Sequence, residues 1–316
     1  MIDELGIKQI RLALPFRLNH VNCFLAEEEN GYKMLDTGLH NKETEKVWDK
    51  ELAGKQITDI IISHYHPDHF GYAGKLQKKT GAEVWMPEID LQIALQAWEK
   101  PFLKNLQENY QRSGIPEDIS RALAENTASF APLVTPYPKI QNLLNEGETI
   151  QFGKYAYEII HTPGHSDGLV TFYNGENSVL LSTDHILPKI TPNISYWFHG
   201  DPNPLENYLK SLEKIKKLDV EWIIPSHGSP FQDASKRISE IKAHHEKRLN
   251  SLQEMLKSGL TIYETMKKLF PKQLAVHDTR FAVGETAAHL EYLRLAGECE
   301  RELVEGVYIY HIGSHR

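Results

Sequence analysis

Three histidines and an aspartate stand within six residues in His64-Tyr65-His66-Pro67-Asp68-His69. Neutral imidazole nitrogen and carboxylate oxygen are good ligands for Zn²⁺ and similar ions. On an extended loop, alternate side chains leave on opposite sides. His64 and His66 then share one side, Asp68 points toward another, and adjacent His69 can join it. One short loop therefore offers two pairs of donors, a spacing suited to two neighbouring cations. Further donors each follow a strand-like run: His165 in Thr162-Pro163-Gly164-His165-Ser166, Asp184 in Ser182-Thr183-Asp184-His185, and His227 in Ile224-Pro225-Ser226-His227-Gly228. In open α/β layers, sites collect at the carboxyl ends of strands. Two divalent ions roughly 3.5–4 Å apart can share a water and lower its pKa toward ~7. The expected chemistry is hydrolysis by a metal-bridging hydroxide, with Asp68 steering the nucleophile and carrying its proton.

The elements that must position these groups are legible as changes of period. Residues 57–62 form a β-branched run that stops at the first histidines, which predicts a buried strand feeding the donor loop. Strands are also expected at 9–14, 21–27, 32–35, 82–86, 149–152, 156–161, 169–173, 179–182 and 220–224, with helices at 43–52, 71–79 and 203–217. Between about 88 and 140 the spacing turns helical, through Leu91, Ala94, Leu95 and Trp98, then Phe102, Leu103 and Leu106. That stretch reads as a helical insertion, and its Trp98, Phe102, Tyr110, Phe130 and Tyr137 as material for an apolar wall over the cleft. After residue 235 the pattern predicts a long helix at 238–257 and a second opening at Thr261 with a Thr-x-x-Glu capping box. A third helix is expected at 284–296, then a strand-turn-strand at 302–312. This order resembles a winged helix. The domains expected are a catalytic unit at 1–235 and a winged-helix-like unit at 236–316.

Composition narrows the function. Hydrophobic residues make up 41% of 316, enough for a buried core in one large or two smaller domains. No apolar run reaches the ~20 residues of a membrane span, and the first sixteen residues lack a signal-peptide core. Cys23 and Cys299 form no CxxC motif, so a reduced cytoplasmic setting is expected. The net charge of −8 argues against a general nucleic-acid surface. Residues 236–316 carry 13 basic and 11 acidic side chains against 22 and 32 in the rest. The predicted third helix of the tail offers only Arg294 as a cation, where a nucleic-acid-reading helix would cluster them. Nucleic acid is thus the disfavoured partner and a small molecule the favoured one, with a homodimer left open.

The donor motifs, in this order and context, resemble those of the metallo-β-lactamase superfamily over roughly residues 10–235. The resemblance implies an α/β fold, an αββα four-layer sandwich, here with a helical insertion and a C-terminal winged-helix-like module. It implies that His64, His66 and His165 hold one metal, that Asp68, His69 and His227 hold a second, and that Asp184 bridges them. Two Zn²⁺ are expected, with Mn²⁺ or Fe²⁺ as alternatives. Asp36, in Asp36-Thr37-Gly38, would support the ligands from behind, with His185 either beside it in that role or facing substrate. Tyr196 is a candidate donor to a developing oxyanion, against the bland reading of an aromatic packing residue. His20, His40, His199, His244, His245, His277, His289, His311 and His315 are read as structural or surface groups. The function implied is an ester, thioester or lactone hydrolase, similar to the hydroxyacylglutathione-hydrolase and acyl-homoserine-lactonase branches, while the tail and Asp184-His185-Ile186-Leu187 resemble the β-lactamase-like-2 branch, which has nuclease activity. The alternatives are a phosphodiesterase or endoribonuclease with the same metals, and a non-catalytic regulator that kept the fold or a transcription factor using the tail.

Overall fold

Alternation builds the first sheet. In the computed structural model, which describes residues 2–313, strands β1 (Ile7–Ala13), β2 (His20–Glu28) and β3 (Gly31–Leu35) form an antiparallel meander. In β2, Cys23 and Leu25 enter one core while Phe24 and Ala26 enter another, as the two-residue period requires of a strand covered on both faces. Helix α1 (Lys42–Glu51) starts where the Asn41 side chain accepts from the Thr44 amide. Strand β4 (Ile57–Ile61) then lies parallel to β3. Short helices α2 (Pro67–Phe70) and α3 (Ala73–Thr80) lead into β5 (Glu83–Met86), parallel to β4. Four helices follow: α4 (Glu88–Ala94), α5 (Lys100–Arg112), α6 (Glu117–Ala128) and α7 (Ala131–Val134). The two-residue strand β6 (Asn142–Leu143) then closes the first sheet beside β5.

The second sheet consists of β7 (Thr149–Phe152), β8 (Tyr155–His161), β9 (Val170–Asn174) and β10 (Val179–Thr183), successive antiparallel neighbours. Helix α8 (Pro204–Lys216) crosses over and returns β11 (Trp222–Pro225) parallel to β10. The carboxyl ends of β8, β10 and β11 consequently share one rim. Three apolar clusters define the layers. The face-to-face cluster joins Phe24, Leu35 and Ile61 to Ile159, Phe172, Leu181 and Ile224. Outside it, Trp48 of α1 and Leu76 of α3 cover the first sheet. Leu205, Tyr208, Leu212 and Ile215 of α8 cover the second, together with Ile238 and Ile241. This is an αββα sandwich.

The tail comprises α9 (Ala234–Met255), α10 (Ile262–Leu269), α11 (Val276–Leu295) and the hairpin β12 (Glu300–Val304) to β13 (Val307–His311). The capping box is formed reciprocally by Thr261 and Glu264. Helix α11 starts at Val276, earlier than the expected residue 284. Gly284 is no helix start. It sits inside α11, where an added Cβ would lie 2.7 Å from Ser195 Oγ and 2.8 Å from Ser195 Cβ, so the glycine serves close approach of a loop. Leu106, Tyr110, Ile115 and Leu123 of the insertion share one core with Leu252, Leu256, Ile262, Leu290 and Tyr310 of the tail. Insertion and tail are therefore one packed body over the sandwich, and the expected boundary at 235 falls in the first turn of α9. Among the described residues no helix is long and apolar enough to cross a membrane. His315 lies outside the described residues.

Candidate metal centre

Asp68 and His69 sit in the short helix α2, and the other donors on loops released at the rim. The β4 strand ends at Ile61, and Ser63 begins a turn that the Asp36 carboxylate ties down, accepting from the Ser63 amide at 2.9 Å and the Ser63 hydroxyl at 2.8 Å. Asp36 itself has φ +60°, and Thr183, just before Asp184, has φ +46°. The left-handed region is unusual for a β-branched residue, and such strain of about 1–3 kcal/mol persists where the surroundings over-determine the backbone. At Thr183 it coincides with a register shift between β10 and β11, and it aims Asp184 away from the sheet.

The side chains converge. Nδ1 of His66 lies 2.8 Å from Nε2 of His165 and 3.1 Å from Nε2 of His64. Asp184 Oδ2 lies 3.3 Å from His165 Nε2 and 3.5 Å from His69 Nε2, and its Oδ1 lies 3.3 Å from His227 Nε2. Asp68 Oδ2 lies 3.5 Å from His227 Nε2 and 3.8 Å from His69 Nε2. Three overlapping donor groups result: His64, His66 and His165; His64, His69 and Asp184; Asp68, His69 and His227.

The opposite ring nitrogens are fixed. His69 Nδ1 lies 2.8 Å from Asp36 Oδ2, His64 Nδ1 lies 2.9 Å from Ser63 Oγ, His165 Nδ1 donates to the Asn193 carbonyl and His227 Nδ1 to the His20 carbonyl. Such outer bonds set the tautomer and orient the inner nitrogen. The inner Nε2 atoms of His69 and His227 and Oδ1 of Asp184 are buried without hydrogen-bond partners. Buried polar atoms left so are costly, and these face one another as mixed nitrogen and carboxylate donors. The set fits divalent cations.

The electrostatics agree. Burial and the neighbouring imidazoles hold His64 and His66 well below the usual histidine range. Burial opposes protonation of His69 also, but Asp184, Asp36 and Asp68 carry it well above that range. His227 is raised likewise, burial being outweighed by Asp184 and Asp68. Burial resists ionisation of Asp184, yet His227 and His69 hold its carboxyl well below the usual range. The site is built around positive charge.

Two expected residues stand elsewhere. Tyr196 packs against the core shared by insertion and tail, with its ring 5.4 Å from Phe198, and its phenol feels Glu291, Arg301 and Arg294. The Tyr196 amide donates to the Gly284 carbonyl, which turns the side chain toward the tail and away from the donors. His185 is fully buried. Its ring packs at 5.3 Å against Tyr208 and neither nitrogen is hydrogen-bonded, so it supports no donor through a hydrogen bond. Burial pushes it down to about 3.

Other residues matter that the sequence concealed. Above the donors lies a cleft of about 560 Å³, with Asp68, His66, His165, Asp184 and His227 on its floor. Trp98, Phe102 and Phe130 form its wall, as do His199, His277, Arg280 and Phe281. Of the five aromatics expected there, Tyr110 packs in the shared core and Tyr137 against the first sheet's outer cluster. His199 and His277, expected to be structural or surface groups, line the cleft. Asp90 of α4 is buried and accepts from the Tyr65 amide at 2.8 Å, the Ser166 hydroxyl at 2.8 Å and the Gly168 amide at 2.6 Å. One carboxylate thus joins the His64–His66 loop to the His165 loop. Its sequence setting, an acid in a helix's first turn, gave no sign of this.

A family profile described as the Metallo-beta-lactamase superfamily matches residues 17–227, and one described as Metallo-beta-lactamase-like, C-terminal domain matches residues 249–312. The "Probable metallo-hydrolase YqjP" of Bacillus subtilis is 24% identical over 95% of this chain and 96% of its own. The "Hydroxyacylglutathione hydrolase GloC" of Haemophilus influenzae is 26% identical over 54% of this chain and 69% of its own. A crystal structure of a metallo-beta-lactamase family protein from Thermus thermophilus superposes with TM-score 0.85 at 30% identity, covering 98% of this chain and 99% of that one.

Proposed function

Because the chain belongs to the metallo-β-lactamase superfamily, whose members use divalent metals, we propose that it is a dinuclear metal-dependent hydrolase of a small ester, thioester or lactone. The observation that carries this reading is the trio of buried, unpartnered atoms His69 Nε2, His227 Nε2 and Asp184 Oδ1, facing the floor of a largely apolar cleft. In this proposal His64, His66 and His165 hold one cation, Asp68, His69 and His227 the other, and Asp184 both. Zinc is the proposed metal. When bound, such a pair supplies a water of lowered pKa and an electrophilic pole for the scissile carbonyl.

The protein's own groups do the rest. Asp36 and Ser63 fix the tautomers of His69 and His64. Asp68, partly exposed at the cleft floor, is placed to take the proton of the attacking water and return it to the leaving group. Trp98, Phe102 and Phe130 exclude water and receive the acyl portion, as the apolar lining of small-molecule sites commonly does. A long polyanion would find little to grip on this wall. The likeness to the Haemophilus hydroxyacylglutathione hydrolase supports an acyl substrate.

The test is a panel of p-nitrophenyl esters, acyl thioesters, lactones and bis(p-nitrophenyl) phosphate on zinc- and manganese-loaded protein, with metal content measured. Turnover of the acyl substrates, lost with metal in Asp184→Ala, is expected. Phosphodiester turnover with inert acyl substrates would replace this reading by the nuclease-type alternative. Normal metal content and activity in Asp184→Ala would sink it.

A further inference from the structure

Arg280 stands on the second turn of α11 and lines the cleft. Its guanidinium carbon lies 5.2 Å from the ring centre of Phe130, 5.1 Å from that of Trp197 and 4.9 Å from that of Phe281. Three aromatic faces therefore hold the cation, through ring quadrupoles rather than through a counter-charge. Its Nε is buried and has no hydrogen-bond partner, and no carboxylate among the described residues pairs with it. Asp278 lines the same cleft, but two residues along a helix is about 200° of rotation. Taking a cation out of water without a partner is costly. The arginine cannot escape that cost by losing its proton.

A guanidinium so held is pre-organised. The rings fix its position, and its planar fork matches a carboxylate. Among the described residues that line the cleft, the only other arginine or lysine is Arg17, which is exposed. One half-buried positive charge with an unpartnered Nε balances one negative charge, so a carboxylate suits this wall better than a phosphate dianion. The cleft volume is that of a small-molecule site. We propose that the substrate carries, away from its scissile bond, a carboxylate that pairs with Arg280. This rests on the hydrolase reading above and narrows it from acyl substrates in general to ω-carboxyacyl ones.

The test compares p-nitrophenyl hexanoate with the p-nitrophenyl monoester of adipate, which differs by a terminal carboxylate. Wild-type protein should favour the adipate ester in kcat/KM on the order of tenfold to hundredfold, the range of a desolvated charge-assisted pair. Arg280→Met should remove the preference, read as the ratio of kcat/KM for the two esters. Arg280→Lys, which keeps the charge but loses the fork, should fall between and serves if the methionine variant fails to fold. Calorimetric binding of adipate and hexanoate supplies a second readout without turnover. Tighter adipate binding in wild type, equalised in Arg280→Met, is expected. A preference unchanged by either substitution, or hydrolysis blind to the carboxylate, overturns the proposal. Arg280-dependent adipate binding with both esters inert would instead sink the ester-hydrolase reading and leave the carboxylate site standing.

Discussion

Asp90 joins two donor loops through three buried hydrogen bonds, and the opposing terms on its carboxyl are visible. Burial raises it to about 6, against the lowering donors Ser166, Tyr65 and Gly168. At neutral pH the ionised form accepts all three bonds. Asp90→Ala orphans buried donors, each worth roughly 1–3 kcal/mol before relaxation, so a loss of about 3 kcal/mol is expected. Because Tyr65 lies between His64 and His66, metal retention should fall with it, while Asp90→Asn, which keeps one acceptor, should lie between. Urea denaturation and elemental analysis check both, and wild-type behaviour in Asp90→Ala would contradict the clamp. The seven donors were legible because their chemistry is written in residue type and local spacing. Asp90 was not, since an acid at a helix start has an ordinary explanation. Tyr196 misled because a tyrosine near a strand end looks the same whether it faces the cleft or, as here, the tail.

At the scale of elements, α11 shows how packing overrides propensity. Gly284 reads as a helix boundary, yet the chain remains helical through it because the loop at 193–199 comes too close for a side chain. Two effects oppose each other in Gly284→Ala. Helix propensity favours alanine by about 1 kcal/mol. Overpacking against Ser195 costs roughly 1–3 kcal/mol, and the loop cannot swing away freely while the Tyr196 amide is bonded to the Gly284 carbonyl. A net loss of about 1 kcal/mol is expected, with a disturbed cleft wall because Trp197 is on that loop. A Gly284→Ala protein melting above wild type would show that the loop yields. Alternation and β-branched runs made the strands of both sheets readable, except the two-residue β6. The first two turns of α11 were lost for the same reason that Gly284 misled, and Arg280 and His277 were lost with them.

For the molecule as a whole, the join between α9 and α11 is one source of the response to acid, beside the buried His185 that burial also holds low. His289 Nδ1 donates to the Glu285 carbonyl, leaving Nε2 to accept from His245 Nδ1 at 3.0 Å. His245 Nε2 then remains buried without a partner, and both rings are neutral. Burial holds His245 at about 2 and His289 at about 3. The folded state therefore refuses protons that the unfolded chain takes up as pH falls below about 6.5, and stability is lost on the acid side. At 1.36 kcal/mol per unit, the pair should cost on the order of 4 kcal/mol between pH 6.5 and 5. Urea midpoints at pH 7.5, 6 and 5 should decline, and His245→Gln with His289→Gln should flatten that decline. A wild-type midpoint independent of pH would refute it. The strands and helices of the sandwich were legible because they repeat simple periods, while their αββα layering came from the resemblance that the donor motifs carry. The union of insertion and tail was not, because Leu106 and Leu290 meet across a separation that no local pattern records. That union has a consequence for biogenesis. The last donor, His227, is translated 68 residues before Leu295 ends α11, which at roughly 5–20 residues per second is about 3–14 s. During that interval every cation-binding group exists on the nascent chain while the roof is unfinished, so the ions can be loaded through an open door that the carboxyl terminus later shuts.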